Sequence, residues 1–245
     1  MKTQTIQYLN DINREFYATT AEDFDQTRGR AWAGWVRLAE YIDAPLSVLD
    51  VGCGNGRFGI FLAQALDGRI QYHGVDNNDQ LLNYANSALA PFANVQTKLD
   101  TLDVIADSLP PAKYDLVVLF GVIHHVPGAQ NRQQFIAELA KRVKPGGMLA
   151  FAAWRFYEYA RFRERLVEWS VDTLPDGMKD TQLEEHDYLL DWRRGERALR
   201  YCHYVDDAEL DILIQASNMR EVTRYRADGS DNAMNAYVIL KKYLS

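Results

Sequence analysis

Cysteine is nearly absent from this chain of 245 residues: Cys53 and Cys202 are the only two. Two isolated thiols support neither a disulfide framework nor a thiolate zinc site, and both read as small packing residues. The five histidines, His73, His124, His125, His186 and His203, include no pair at the i, i+4 spacing of a metal-binding helix face, so no bound metal is expected. No apolar run approaches the ~20 residues that cross a bilayer, and Met1 to Asn10 lacks the apolar stretch of a secretory signal. A cytoplasmic chain without a membrane partner is the expectation. Positive charge is in deficit: 27 Lys and Arg against 34 Asp and Glu leave a net charge of -7. That argues against a broad nucleic-acid surface without excluding a local basic patch. Internal repeats and low-complexity tracts are also missing. With 47% hydrophobic and 25% charged residues, the composition suits a globular chain long enough to bury a substantial core.

The densest signal in what is present is Val48-Leu49-Asp50-Val51-Gly52-Cys53-Gly54-Asn55-Gly56. It reads as a short strand ending in a carboxylate, a turn with glycine at every second position, and an apolar helix from Arg57 to Leu66. Backbone without Cβ turns sharply and lets a ligand lie against the main chain, so this is a cofactor cradle. Gly54-x-Gly56-x-x-Gly59 also spells a dinucleotide fingerprint, with Asp76 roughly 20 residues further on. In a dinucleotide site, however, the first glycine directly follows the strand and the helix N-terminus faces a pyrophosphate. Here the turn begins at Gly52, and Asp50 at the strand mouth would repel a diphosphate. S-adenosylmethionine, with a sulfonium, an ammonium and one carboxylate, suits an acidic strand end better. A nicotinamide dinucleotide is the alternative.

Strand and helix then alternate. Ile70 to Val75 is an apolar strand ending at Asp76, Gln80 to Ala90 has helical spacing until Pro91 stops it, and Asn94 to Leu99 is a third strand ending at Asp100. Tyr114 to Phe120 is the continuous apolar run of a strand buried on both faces. Arg132 to Val143 is an amphipathic helix ended by Lys144-Pro145-Gly146-Gly147, and Met148 to Ala153 is the fifth strand. The pattern predicts a doubly wound α/β fold with its ligand at the C-terminal strand edge. Lys2 to Ile42 reads as a helical N-terminal lid carrying Phe16, Tyr17, Phe24, Trp32 and Trp35. Trp154 to Tyr204 interrupts the alternation with mixed charges and aromatics, among them Arg161, Trp169, Trp192, Arg193, Arg194 and Arg200, and lies where a substrate would meet the sheet. Asp206 with Glu209 forms a capping box for a helix through Ala216. Strands at Met219 to Arg226 and Ala233 to Lys242 flank the turn Asp228-Gly229-Ser230-Asp231, so the last strand runs antiparallel.

Asp76, at the end of the second strand, is placed to accept hydrogen bonds from both hydroxyls of a ribose, with a surface carboxylate as the competing reading. Asp100, Thr101 and Leu102 end the third strand where an adenine would lie, and Asp103 competes for that role. Gly121-Val122-Ile123-His124-His125-Val126-Pro127 follows the fourth strand. Adjacent histidines in extended chain point to opposite sides, so one of the pair is expected to face the cavity, either to orient an acceptor or take its proton, or to bond to backbone.

The run Val48 to Gly56, then Gly74-Val75-Asp76, then Lys144-Pro145-Gly146-Gly147, resembles the class I S-adenosylmethionine-dependent methyltransferases over almost the entire chain. That resemblance implies a seven-stranded, mostly parallel sheet with an antiparallel last strand, a Rossmann-like methyltransferase fold in a single domain. It also implies S-adenosylmethionine as cofactor, with S-adenosylhomocysteine as product. The glycine loop would hold the methionine end, Asp76 the ribose, and the Asp100 to Leu102 segment the adenine. The donor-binding candidates are Arg28, Asp50, Gly52, Cys53, Gly54, Gly56, Asp76, Asn77, Asp100, Thr101, Leu102 and Phe120.

A narrower resemblance rests on Ala21 to Trp32, Val122-Ile123-His124-His125, Asp187-Tyr188-Leu189-Leu190-Asp191-Trp192 and Arg200-Tyr201-Cys202-His203-Tyr204. These segments look like the tRNA wobble-uridine carboxymethyl methyltransferases, which esterify 5-carboxymethyluridine and work with a small zinc-binding activator protein. The family usually has Pro at the position of Asp191 and a second Tyr at that of Cys202. The catalytic candidates are His124, His125, Asp187, Trp192, Arg200 and His203. A carboxylate acceptor, already anionic, needs an arginine clamp, which Arg200 with His203 is positioned to supply unless Arg200 pairs with an acid such as Asp187. A hydroxyl or amine acceptor needs a base instead, His124 or His125. The acceptor is therefore a tRNA or a small molecule, and a noncatalytic cofactor-binding module is the remaining alternative.

Overall fold

Apolar side chains on both faces of Leu46–Val51 (β1) leave that strand one stable place, the middle of a sheet covered on both sides. A computed structural model describes residues 1–27, 29–170, 183–192 and 198–244 and puts β1 there. β1 pairs in parallel with β2 (Ile70–Asp76), and β2 with β3 (Val95–Thr101). On its other side β1 pairs with β4 (Tyr114–Phe120), and β4 with β5 (Val143–Trp154). A separate antiparallel sheet follows, built from β6 (Leu166–Val167), β7 (Asp187–Asp191) and β8 (Leu199–His203). β9 (Arg220–Ala227) and β10 (Asn235–Lys241) close the chain, β10 running antiparallel to both β5 and β9. The main sheet has the order β3-β2-β1-β4-β5-β10-β9, a Rossmann-like arrangement whose one reversed strand is the last in the chain.

Alternation along the strands sorts the core. Val48, Leu116 and Val118 face α2 (Ala33–Ala39), α3 (Arg57–Ala65) and α4 (Asp79–Leu89), through Trp35, Leu38, Phe58, Leu62 and Leu82. Leu49, Val117 and Leu119 face α5 (Ala129–Lys141) and α7 (Asp207–Ala216), through Phe135, Ile136, Leu139, Leu210 and Leu213. The N-terminal segment is helical as expected: α1 (Thr3–Thr27) packs against β8 and α4. A four-residue helix, α6 (Ala160–Arg163), precedes the small sheet. Among the described residues no helix is long and apolar enough to cross a membrane.

Three local expectations shift. α5 begins at Ala129 rather than Arg132. β5 is longer than Met148 to Ala153, although its in-register pairing with β4 runs only from Leu116↔Met148 to Phe120↔Ala152. The capping box of α7 is half formed. Asp206 accepts the Glu209 amide at 2.8 Å, but the Glu209 carboxylate turns to Arg132 at 2.6 Å, because a guanidinium outbids a backbone amide for a carboxylate.

Candidate functional site

A cavity of about 870 Å³ opens at the C-terminal ends of β1, β2 and β4, roofed by α1 and walled on the far side by α6 and the small sheet. Its first half is built by the glycine turn. Gly52 has φ +72, its amide donates to the Val75 carbonyl at 2.8 Å, and a Cβ there would meet Val122 Cγ2 at 2.2 Å, so no other residue fits. Asp76 accepts the Gly54 amide on Oδ2 at 2.9 Å and the Asn78 amide on Oδ1 at 3.0 Å. Burial nevertheless holds its carboxyl above the usual range, against the pull of those amides. Asp50 is 2% exposed and accepts the Tyr72 hydroxyl at 2.6 Å. Burial pushes its pKa up to about 7, with the Tyr72 bond opposing and the Asp76 charge adding to the rise.

α1 is moored to both halves. Asn10 donates to Asp103 at 2.8 Å, Asp25 accepts from Asn55 at 2.8 Å, and the Tyr17 carbonyl accepts from Asn78 at 2.9 Å. On the other side Asn13 Oδ1 accepts the Tyr201 amide at 3.0 Å.

The second half is aromatic and cationic. Arg200 on β8 is 9% exposed, its guanidinium 5.1 Å from the centre of the Phe16 ring and 4.8 Å from that of Trp154. Its Nε has no hydrogen-bond partner among the described residues. Trp192 packs edge-on to Phe16 at 5.4 Å, and His124 lies 5.5 Å from Trp154.

Of the sequence candidates, Asp50, Gly52, Cys53, Gly54, Asp76, Asn77, Leu102, Phe120, His124, His125, Trp192 and Arg200 all line this cavity. Gly56 serves packing instead: at φ +76 it begins α3, and a Cβ would meet Ala85 Cβ on α4 at 2.9 Å. Asp100 and Thr101 stay outside, since β3 continues through Thr101 and turns the Asp100 carboxylate to His73 and Lys98. The cavity wall begins at Leu102 and runs on through Asp103, Val104 and Ile105. Arg28, Arg193 and Arg194 lie outside the described residues.

The proposed pairing of Arg200 with His203 is not made. The two sit three apart on one strand, which places them on opposite faces. His203 joins Asp187 (2.8 Å) and Glu209 (2.8 Å) behind the sheet. There Arg132, 1% exposed, also binds Glu209 at 2.6 Å and Glu184 at 2.7 Å. Asp187 further accepts the Tyr201 hydroxyl at 2.7 Å, so it is not Arg200's counterion.

The two adjacent histidines also depart from expectation, because Ile123–His125 is a 3-10 turn rather than extended chain, and both rings reach the cavity wall. His125 Nε2 meets the Tyr17 hydroxyl at 3.0 Å, and its Nδ1 lies 2.9 Å from the Tyr201 carbonyl. Nδ1–H donating and Nε2 accepting satisfies both, which is a neutral ring. Burial first, and the Arg200 charge second, lower its pKa to about 3.

Two groups bring potential metal-ligand atoms within 4.8 Å of one another, His124 with His125 and Cys202, and Glu184 with Asp187 and His203. In the first both His125 nitrogens are occupied, and in the second the Arg132 guanidinium already supplies the positive charge.

Cavity residues that the sequence reading passed over include Asn13, Arg165 and Asp228. Asn13 had a signal, since it lies one helical turn before Tyr17 and so shares its face.

Known proteins place this geometry in context. The profile of a methyltransferase-domain family matches residues 49–149. The tRNA (carboxymethyluridine(34)-5-O)-methyltransferase of Schizosaccharomyces pombe is 26% identical over 61% of this chain and 60% of its own length. The ubiquinone biosynthesis O-methyltransferase of Leptothrix cholodnii is 29% identical over 80% of this chain and 78% of its own. Of a longer relative named for carboxymethyluridine methylation, from Mus musculus, the chain spans only 19% of the length. In structure, an S-adenosylmethionine-dependent methyltransferase of Methanosarcina mazei superposes with a TM-score of 0.65 at 19% identity, over 85% of this chain and 98% of that one.

Proposed function

We propose that this chain, a member of the S-adenosylmethionine-dependent methyltransferases, methylates a carboxylate oxygen of its acceptor, the carboxymethyl group of a tRNA wobble uridine being the first candidate. Arg200 is the observation that carries this reading. Among the described residues no carboxylate is ion-paired with it; an arginine buried in that way costs several kcal/mol of lost solvation, and two ring faces return only about 0.5–2 kcal/mol each. The chain tolerates that deficit at the cavity wall, where an acceptor carboxylate would remove it through paired charge-assisted bonds.

The donor side fits its ligand on two grounds. Gly52 offers bare backbone where a Cβ would collide with Val122 at a positive φ, and Asp76 puts an acceptor-only carboxylate, held by backbone amides, on the cavity wall where ribose hydroxyls would donate to it. Gly52 and Gly54 would hold the methionine end, Leu102 to Ile105 would wall the adenine, and Asp50 would face the positive charge. S-adenosylmethionine, when bound, supplies an electrophilic methyl group on a sulfonium. The chain's own residues hold, orient and dehydrate the acceptor: Arg200 aims the carboxylate, while Trp154, Phe16 and Trp192 exclude water and sharpen that aim. No base is required, which agrees with a His125 that stays neutral and doubly bonded.

A compact metabolite carboxylate is the second reading, favoured by the net charge of -7. Incubation with methyl-labelled donor, tRNA carrying 5-carboxymethyluridine and a panel of carboxylic acids should yield an alkali-labile labelled ester. The tRNA arm is run with and without a zinc-binding activator protein. Label appearing only in alkali-stable products, or in none, overturns the carboxylate reading.

A further inference from the structure

Besides Arg200, four arginines line the cavity, Arg30, Arg57, Arg161 and Arg165, and the last two, on the Trp154 side, are left unused by the carboxylate reading. Arg161 on α6 and Arg165 just beyond it both line the wall. Their guanidiniums gather on one ring, Phe162, at 4.9 and 5.9 Å from its centre. Neither has a carboxylate partner among the described residues, whereas Arg132, Arg155, Arg224 and Arg226 each have one. Like charges drawn to one ring repel, and no carboxylate among the described residues is ion-paired with either to relieve them. Phe162 stands edge-on to Trp154 at 4.8 Å, and Trp154 carries Arg200. Three cations are thus strung along two aromatic rings, one buried at the deep end and two at the shallow end.

We propose that Arg161 and Arg165 form a phosphate subsite, so that the acceptor is nucleotide-like: a carboxylate at one end, a planar ring in the middle and a phosphate at the other end. This rests on the carboxylate reading for its deep end and adds the shallow one. Trp154 and Phe162 select the ring by stacking, and paired guanidiniums match a phosphate through several charge-assisted bonds at once. A free nucleotide and a polynucleotide backbone present the same chemistry here.

The test uses the full chain and the double substitution Arg161→Gln with Arg165→Gln, neither of which is in the buried core. Calorimetric titrations compare 5-carboxymethyluridine, its 5′-monophosphate, an anticodon stem-loop carrying the same base, and inorganic phosphate. The monophosphate should bind about tenfold or more tighter than the nucleoside. The double variant should erase that advantage while leaving nucleoside affinity unchanged. A stem-loop that outbinds the mononucleotide assigns the phosphate to a polynucleotide, and equal binding assigns it to a free nucleotide. Equal affinity for nucleoside and monophosphate in the unaltered chain overturns the subsite, as does an advantage that survives the double substitution. Should neither uridine compound bind, inorganic phosphate decides. Binding that the double variant loses upholds the subsite and strikes only the carboxylate reading, whereas no phosphate binding sinks the subsite itself.

Discussion

Arg132 and Arg200 are both buried arginines beside strand β8, yet their surroundings are opposite. Arg132 lies behind the sheet bonded to two carboxylates and the Val126 carbonyl, all within 3.0 Å. Arg200, on the cavity side, has aromatic faces and a bare Nε. A charge whose bonds are complete inside the protein holds elements together, here α5, α7 and the small sheet. A charge left incomplete is a free-energy deficit that a ligand can remove, so under the proposed function the same residue type would do structural work on one face of a strand and recognition on the other.

That contrast can be broken by experiment. Arg132→Met strands Glu184 and Glu209 without their cation, and should cost about 3–5 kcal/mol in urea denaturation. Arg200→Met should leave the melting temperature unchanged or higher while lowering acceptor kcat/KM by about 10²–10³-fold. Equal stability losses in the two variants would erase the distinction. Asp50 supplies a finer probe. With a folded pKa of about 7 against an ordinary ~3.9, the donor-free fold binds the extra proton, so its stability is full below pH ~4 and declines as pH rises to about 7. Asp50→Asn should therefore melt above the unaltered chain at pH 8 but not at pH 4, while binding the donor more weakly at pH 8, read by thermal melts and calorimetry. The smallest effect belongs to His203. Burial alone would lower its pKa, but the bonds to Asp187 and Glu209 outweigh burial and raise it. Its stabilisation is complete below about pH 6.5 and fades as pH climbs through the raised value. Hydrogen exchange of the β7 and β8 amides should quicken from pH 6 to pH 9 beyond the intrinsic chemical rate, and His203→Gln should flatten that excess.

Much of the fold was legible because its signals are local. Tyr114 to Phe120 is apolar apart from Asp115 and forms β4 with those bounds, and the glycine turn at Gly52 to Gly56 sits where a strand must give way to a helix. Places on the cavity wall were legible where a residue lies at a strand end, as with Asp50 and Asp76. The site was misread where geometry depends on parity. Arg200 and His203 are an odd number of positions apart, which β alternation sends to opposite faces, and that separation is plain in the sequence itself. His124 and His125 needed the turn type, which the flanking Val122 and Pro127 do not determine. The small sheet escaped because β6 has two residues and β7 and β8 five each, too few for a period-2 pattern to stand out in a stretch rich in charge and aromatics.

The long first helix has a mechanical consequence. Its side chains at Asn10, Asn13 and Asp25 and its carbonyl at Tyr17 tie down both banks of the channel, so the gap is gauged by a rod with about 1.5 Å of rise and 100° of rotation per residue. Adding or deleting one residue between Asn10 and Asp25 would swing one set of moorings roughly a quarter turn away from the other. The length of that interval, more than the identity of any single amino acid in it, sets the width of the passage.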